Sequence, residues 1–297
     1  MVAQAGPAYP WAEVSPLLGL YDITVVNLEG PLCSAAQPGS GQGSLDQRGD
    51  TVNAAPMADA GIDAVCLAND HIMDHGAEGL EETLDVLHAQ GLGTIGAGSS
   101  TEAAAGPLVL EAGNGASIAL LSFSDVSPST TAAGEESPGV SQASLERIAE
   151  AVRAAAGGAH YVAVFMHWGE MASPDITSRQ REIAAACIGA GADLVVGCHP
   201  HVVQGIEVIS GVPVIYSLGN LVYSPESEAG KNAVFAGCRF GGGRLTALEL
   251  IPLRVEAGKP TPLLGAQAEG LLRDLEQASP GVDLEVSPAT STASLSL

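Results

Sequence analysis

The stretch from Gly191 to Ser224 constrains the chain more than any other. A short apolar run, Leu194-Val195-Val196, follows a Gly-Ala-Asp break and reads as a buried strand. Its carboxyl end carries Cys198-His199-Pro200-His201. Two histidines one residue apart, on a loop leaving a strand, can point into one cavity. Pro200 restricts the residue before it to extended conformations, which predicts a stiff loop with an extended His199. A second run, Val203 to Ile209, turns at Ser210-Gly211 into a third, Val214-Ile215-Tyr216, which ends in Ser217-Leu218-Gly219-Asn220. Polar residues at the carboxyl ends of buried strands are where α/β proteins assemble their sites, so the other strand ends decide whether this histidine pair is chemistry or a polar loop.

Three further apolar runs end in the same manner. Ile23-Thr24-Val25-Val26 leads into Asn27-Leu28-Glu29-Gly30-Pro31. Taken alone, Glu29 is more simply a solvated turn residue. Asp63 to Ala68 leads into Asn69-Asp70-His71-Ile72-Met73-Asp74-His75-Gly76, with five coordinating-type residues in seven positions. A surface loop beside a buried strand rarely needs two histidines and two aspartates. Tyr161 to Met166 leads into His167-Trp168-Gly169-Glu170. A lone histidine there could be a satisfied structural residue, but its position repeats the pattern.

Composition removes several function classes. The chain has 297 residues, with 34 acidic against 11 basic side chains and a formal net charge of -23. Such a surface repels nucleic acid and anionic membranes, so no nucleic-acid partner is expected. Five cysteines without a Cys-x-x-Cys pair argue against both a disulfide framework and a cysteine zinc site. No apolar run is long enough to span a membrane. The amino-terminal residues lack the basic and apolar regions of a signal peptide.

Between these strand ends the periodicity predicts helices over Trp11–Leu20, Asn53–Ala60, Ala77–Gln90, Ser144–Ala156, Thr177–Ala190 and Ala266–Gln277. Residues 34–49, rich in Ser, Gly and Gln, read as a loop, and Ser124 to Gly139 as a mobile rim. Gly113-Asn114-Gly115 marks a hairpin. Asn232–Phe240 and Leu245–Val255 read as strands that extend or close a sheet. The expected organisation is one domain over 1–255, then a carboxyl-terminal helix and a poorly ordered Ser- and Pro-rich tail over 256–297.

The strand ends together supply Glu29, Asp70, His71, His167, His199 and His201. Carboxylates and imidazoles form the ligand set of a borderline divalent ion such as Mn, Fe or Zn. Two such ions sharing a carboxylate activate water and hold both oxygens of an in-line displacement at phosphorus.

The motifs Asn-Leu-Glu-Gly-Pro-Leu (27–32), Leu-Ala-Asn-Asp-His-x-x-Asp (67–74), His-Trp-Gly (167–169), Gly-Ala-Asp-Leu-Val-Val-Gly-x-His-Pro-His-Val (191–202) and Tyr-Ser-Leu-Gly-Asn (216–220) resemble the bacterial capsule-synthesis family of CapA type, associated with poly-γ-glutamate biosynthesis and similar to calcineurin-like metallophosphoesterases. The resemblance covers about residues 7 to 252. It implies a four-layer α/β/β/α sandwich with mixed sheets, and a role in making or attaching a polyanionic capsule polymer. It also implies that Glu29 bridges two metals, that Asp70 (where the family usually has asparagine), His167 and His199 complete one metal, and that His201 reaches the other. His71 takes the place of the catalytic histidine, with Asp74 fixing its tautomer. Tyr216 and Asn220 line the floor, while Asn69, His75, Trp168 and Glu170 shape the pocket. Family members are often membrane-associated or exported. They also begin with a strand ending in Gly-Asp, whose aspartate is a ligand, and nothing before Tyr21 reads as that strand. The expected sheet therefore lacks its first strand, and the expected metal content is one tight ion with a weak second.

The partners this implies are a polyanionic polymer or phosphoester substrate and other capsule-synthesis proteins. A metal-dependent phosphoesterase in capsule synthesis is the first reading. A non-catalytic component that binds metal or polymer is the second, and a small-molecule phosphoesterase with no capsule role the third.

Overall fold

The computed structural model describes residues 5–34, 47–225 and 227–297; most of the loop expected over 34–49 lies outside them. Three short strands, β1 (Val25–Asn27), β2 (Ala64–Cys66) and β3 (Gly93–Ile95), form a parallel sheet in the order β1-β2-β3, so β1 is an edge. Alternate side chains of β2 serve two cores, as the period of two requires. Val65 packs with Met57, Leu80 and Leu87, from the helices α1 (Ala54–Asp59) and α2 (Gly76–Ala89). Ala64 and Cys66 face the opposite way, into the central core.

The second sheet has six strands: β4 (Leu108–Glu111), β5 (Ser117–Ser124), β6 (Tyr161–His167), β7 (Leu194–Cys198), β8 (Ile206–Ile209) and β9 (Val212–Ile215). Their order is β8-β9-β7-β6-β5-β4, parallel through β9, β7, β6 and β5, with antiparallel hairpins at both ends. The hairpin expected at Gly113-Asn114-Gly115 is the β4–β5 turn. Ala119, Leu121, Val162, Val164 and Val195 pack outward against α3 (Leu145–Ala156) and α4 (Ser178–Ala190). Leu120, Ala163, Leu194 and Val196 pack inward against Ala64, Cys66 and Ile95 of the first sheet. The result is the expected order of helices, sheet, sheet, helices. Both ends of α4 are set by its sequence: Thr177 and Gln180 make a reciprocal capping box, and Gly191 at φ +114° ends the helix in the left-handed region.

The remaining chain departs from expectation. β10 (Asn232–Gly241) and β11 (Arg244–Glu256) do not extend either sheet; they form a separate five-stranded antiparallel sheet with β12 (Lys259–Pro262), β13 (Glu285–Ser287) and β14 (Thr292–Ser296). The tail expected to be poorly ordered thus supplies two strands. Its Ala293 and Leu295 alternate with polar residues and are buried beside Leu248 and Leu250, while Leu272 and Leu275 of α5 (Gly265–Gln277) join the same core. None of the five cysteines is joined in a disulfide. No helix among the described residues is long and apolar enough to cross a membrane.

Candidate metal centre

Because β1 and β2 are parallel, and β5, β6, β7 and β9 are parallel, each sheet delivers its strand ends to one edge. Glu29 and Asp70 come from the loops after β1 and β2. His167 is the last residue of β6, and its register partner Cys198 the last of β7. The two edges meet in one crevice: one ligand atom each from Glu29, Asp70, His167 and His199 lies within 4.8 Å of all the others. Donors placed about 2.1 Å from a common ion are roughly 3–4 Å apart, so this set closes on one divalent cation with little movement.

Contacts inside the cluster are short. His167 Nε2 is 2.8 Å from Asp70 Oδ1 and 3.1 Å from His199 Nδ1. Asp70 Oδ1 is also 3.8 Å from His199 Nδ1. Glu29 Oε1 is buried without a hydrogen-bond partner. His201 Nε2 lies 3.0 Å from it, at ion-pair distance but without hydrogen-bond geometry. An oxygen with that single contact keeps lone pairs that no donor meets, at a cost in a buried place. A cation removes that cost, which is the observation of fit that distinguishes this cluster from ordinary acidic surface.

The charges tell the same story. Burial alone would raise the Asp70 carboxyl; the His167 hydrogen bond and the nearby imidazoles outweigh it and hold Asp70 well below the usual carboxylate range. Glu29 is lowered in the same way, against its burial, by His201 and His167. Burial and the neighbouring His167 depress His199 to about 4, so its ring is neutral and ready to donate a lone pair. His201 moves the other way, to about 9, because its contact with Glu29 overcomes burial.

The loop from β7 to β8, which carries both histidines, is strained. His199 has φ +95° and His201 φ +56°. The extended His199 expected from Pro200 is therefore not what forms. Left-handed backbone in residues other than glycine costs on the order of 1–3 kcal/mol each. The loop must reverse sharply to bring both rings into one crevice, and backbone bonds hold it there: Trp168 N–H to Cys198 O at 3.1 Å and Ala172 N–H to Pro200 O at 2.8 Å. Gly197 is obligatory just before it, since a Cβ would collide with Tyr216 O and the Trp168 indole.

His71 stands beside the cluster. Its Nδ1 is 2.7 Å from Asp74 Oδ2, and its Nε2 is 3.7 Å from Asp70 Oδ2. Asn69 holds this turn in place, donating to Leu28 O and accepting from the backbone N–H of His71 and Ile72. Asn220 orients His201: Oδ1 meets His201 Nδ1 at 2.8 Å, while Nδ2 donates to His201 O and Gly230 O. That leaves His201 Nε2 facing Glu29.

Not every expected pocket residue reaches the pocket. Trp168 and Tyr216 are fully buried and stacked on one another in the core between the six-stranded sheet and its helices. The Trp168 indole N–H donates to Tyr216 O, and the Tyr216 hydroxyl to Glu207. They back the histidine loop from behind instead of lining its floor. Glu170 is exposed, and His75 is buried at the start of α2; neither borders the cavity. Sequence reasoning missed three residues that do. Asn27 donates to Glu29 Oε2 at 3.3 Å, Tyr223 stacks on His201 with ring centroids 5.1 Å apart, and the Cys198 thiol reaches His167. Asn27 and Cys198 each had a signal, as the last residue of a strand.

A cavity of about 430 Å³ opens beside Glu29, His199, His201, Asn220 and Tyr223 and runs along the free edge of β1 under Trp11 and Phe235. Among the described residues no lysine or arginine lines it.

Residues 1–224 match the family described as bacterial capsule synthesis protein PGA_cap. The chain is similar to the PGA biosynthesis protein CapA of Bacillus subtilis (strain 168), with 30% identity over 260 residues covering 88% of this chain and 68% of that protein. Similarity to the capsule biosynthesis protein CapA of Bacillus anthracis is also 30%, over 274 residues covering 90% of this chain and 66% of that protein. The chain thus spans about two thirds of the length of these curated relatives. Among solved structures, the NAD nucleotidase NadN of Haemophilus influenzae aligns with a TM-score of 0.48 and 17% identity, over 92% of this chain and 57% of that one.

Proposed function

The chain belongs to the bacterial capsule synthesis protein (PGA_cap) family, and we propose that it serves capsule or poly-γ-glutamate biosynthesis through a metal-dependent, phosphoesterase-type site. The observation that carries the reading is the convergence of Glu29, Asp70, His167 and His199 within 4.8 Å, with the His71–Asp74 pair alongside. Glu29, Asp70, His167 and His199 hold one divalent ion of the Mn, Fe or Zn class; His201 and Glu29 hold a second, more weakly. When bound, such an ion supplies Lewis acidity and a water of lowered pKa.

The chain's own residues do the rest. Asp74 accepts from His71 Nδ1–H and fixes the ring, so that Nε2 faces the cluster and can hold a proton for a leaving oxygen. Asn220 keeps His201 turned toward Glu29. With no lysine or arginine on the cavity wall among the described residues, a phosphoryl group is held chiefly by the metal position and the imidazoles. The partners proposed are a phosphoester or polyanionic substrate and other capsule-synthesis proteins, the latter suggested by the names of the relatives.

Scarcity of ligands at the second position favours a different reading, in which the protein binds metal or polymer without turnover. Hydrolysis of an aryl phosphate in the presence of Mn separates the two. The enzymatic reading expects turnover that falls by roughly 10²–10⁴-fold in His71→Ala while bound metal is retained. Absence of turnover with metal in place would leave the binding role.

A further inference from the structure

The Gly197-Cys198-His199-Pro200-His201 run contains one side chain that the site as described does not use. Cys198 ends β7 directly opposite His167, which ends β6. Its Sγ lies 3.2 Å from His167 Nδ1 and 3.5 Å from Met166 O. The His167 ring has no exposed surface, and its other nitrogen, Nε2, faces Asp70 and His199 in the cluster.

These distances impose an order on the hydrogens. A histidine can offer a lone pair at Nε2 only when its ring hydrogen sits on Nδ1. Inside a closed crevice that N–H needs an acceptor, since a buried donor left unmade costs about 1–3 kcal/mol. Metal-ligating histidines usually meet a carboxylate or a backbone carbonyl at this position. Here the group in reach is a thiol. Sulfur accepts weakly and its own hydrogen donates. With Nε2 given to a metal, the arrangement is satisfied as His167 Nδ1–H to Cys198 Sγ and Cys198 S–H to Met166 O; without metal, Nε2–H meets Asp70 Oδ1 and the thiol hydrogen can turn to Nδ1.

We propose that Cys198 is the positioning residue of His167, its thiol fixing the Nδ1–H form so that Nε2 is presented to the metal. This rests on the metal-centre reading above, but concerns a contact present in the protein without metal. Cys198→Ala removes the acceptor and leaves Nδ1–H unpaired. Cys198→Ser keeps an acceptor and a donor on a similar frame.

The test has two readouts on the wild type and both variants. The first is affinity for Zn²⁺, measured by competition with a fluorescent chelator. The second is the ¹⁵N chemical shift of His167 Nδ1 at pH 8, measured with Zn²⁺ bound. The expected results are zinc binding weakened by about 10–100-fold in Cys198→Ala and largely kept in Cys198→Ser. The Nδ1 shift should be of the hydrogen-bearing type in wild type and Cys198→Ser, and altered in Cys198→Ala. Equal zinc affinity in all three proteins would overturn the proposal. So would a lone-pair-type Nδ1 in the wild type. Equal loss of zinc from both variants with the fold intact would mean that sulfur itself is a ligand, which also overturns it. Failure of the wild type to bind zinc would instead refute the metal-centre reading, and the role of Cys198 with it. Should Cys198→Ala not fold, Cys198→Val, which also lacks an acceptor, takes its place in the comparison.

Discussion

His167 Nε2 lies 2.8 Å from Asp70 Oδ1, across 97 positions of sequence and across the boundary between two sheets. One residue ends a strand of the six-stranded sheet; the other follows a strand of the three-stranded sheet. The contact shows why the cluster depends on the whole sandwich: neither sheet holds enough donors for an ion by itself. Displacing either sheet relative to the other by a few ångströms would dismantle the site without touching a ligand.

Asp70 should therefore be decisive for metal binding. Asp70→Ala is expected to weaken binding by more than the roughly 10–100-fold typical of losing only a ligand's supporting partner. Asp70→Asn keeps an oxygen donor but no charge and should fall between wild type and Asp70→Ala. Titration calorimetry with Mn or Zn gives the ranking; equal affinity in all three proteins would remove Asp70 from the ligand set.

A second expectation concerns pH in the metal-free protein. Folding raises the His201 imidazole from its ordinary 6.5 to about 9, through Glu29 and against burial. The folded state thus favours the protonated ring. Its contribution to stability is complete below about 6.5 and is lost as pH rises through 9. Thermal midpoints in chelator should decline over that window in wild type, and His201→Gln should flatten the decline. Identical profiles would show that the His201–Glu29 pair contributes nothing to folding. Divalent ions compete with the same proton, so metal uptake should strengthen over this range.

The carboxyl-terminal strands make a prediction about stability alone. Leu295 is 8% exposed and packs into the core shared by the sheets. Leu295→Ala should cost about 2–3 kcal/mol, the lower part of the range for buried leucines. Denaturant unfolding checks this; a change near zero would return residues 285–296 to the poorly ordered tail that their composition suggests.

That tail illustrates what the sequence hides. Ala293 and Leu295 alternate with serines, a strand signal of minimal amplitude in a Ser- and Pro-rich segment, and it becomes decisive only because β11 offers an edge to pair with. The strand ends were legible for the opposite reason: an apolar run followed within a few positions by Glu29, Asp70, His167 or His199 carries both the buried strand and the member of the cluster. Trp168 sits beside His167 in sequence, and Tyr216 just after β9, yet both point to the far side of their sheet, because neighbouring residues at a strand end face opposite ways. The left-handed backbone of His199 and His201 could not be read locally, since it belongs to the sharp reversal of the loop from β7 to β8 within one sheet.

Metal content tests the account most directly. Four donors converge on one position, whereas a second position has Glu29 and His201 alone among the described residues. Elemental analysis after loading with Mn or Zn and exhaustive dialysis should find close to one tightly held equivalent per chain, lost in His167→Ala, with any second ion dialysed away. No retained metal would contradict the assignment of the cluster, and two tightly held equivalents would contradict the unequal sites inferred from its ligands.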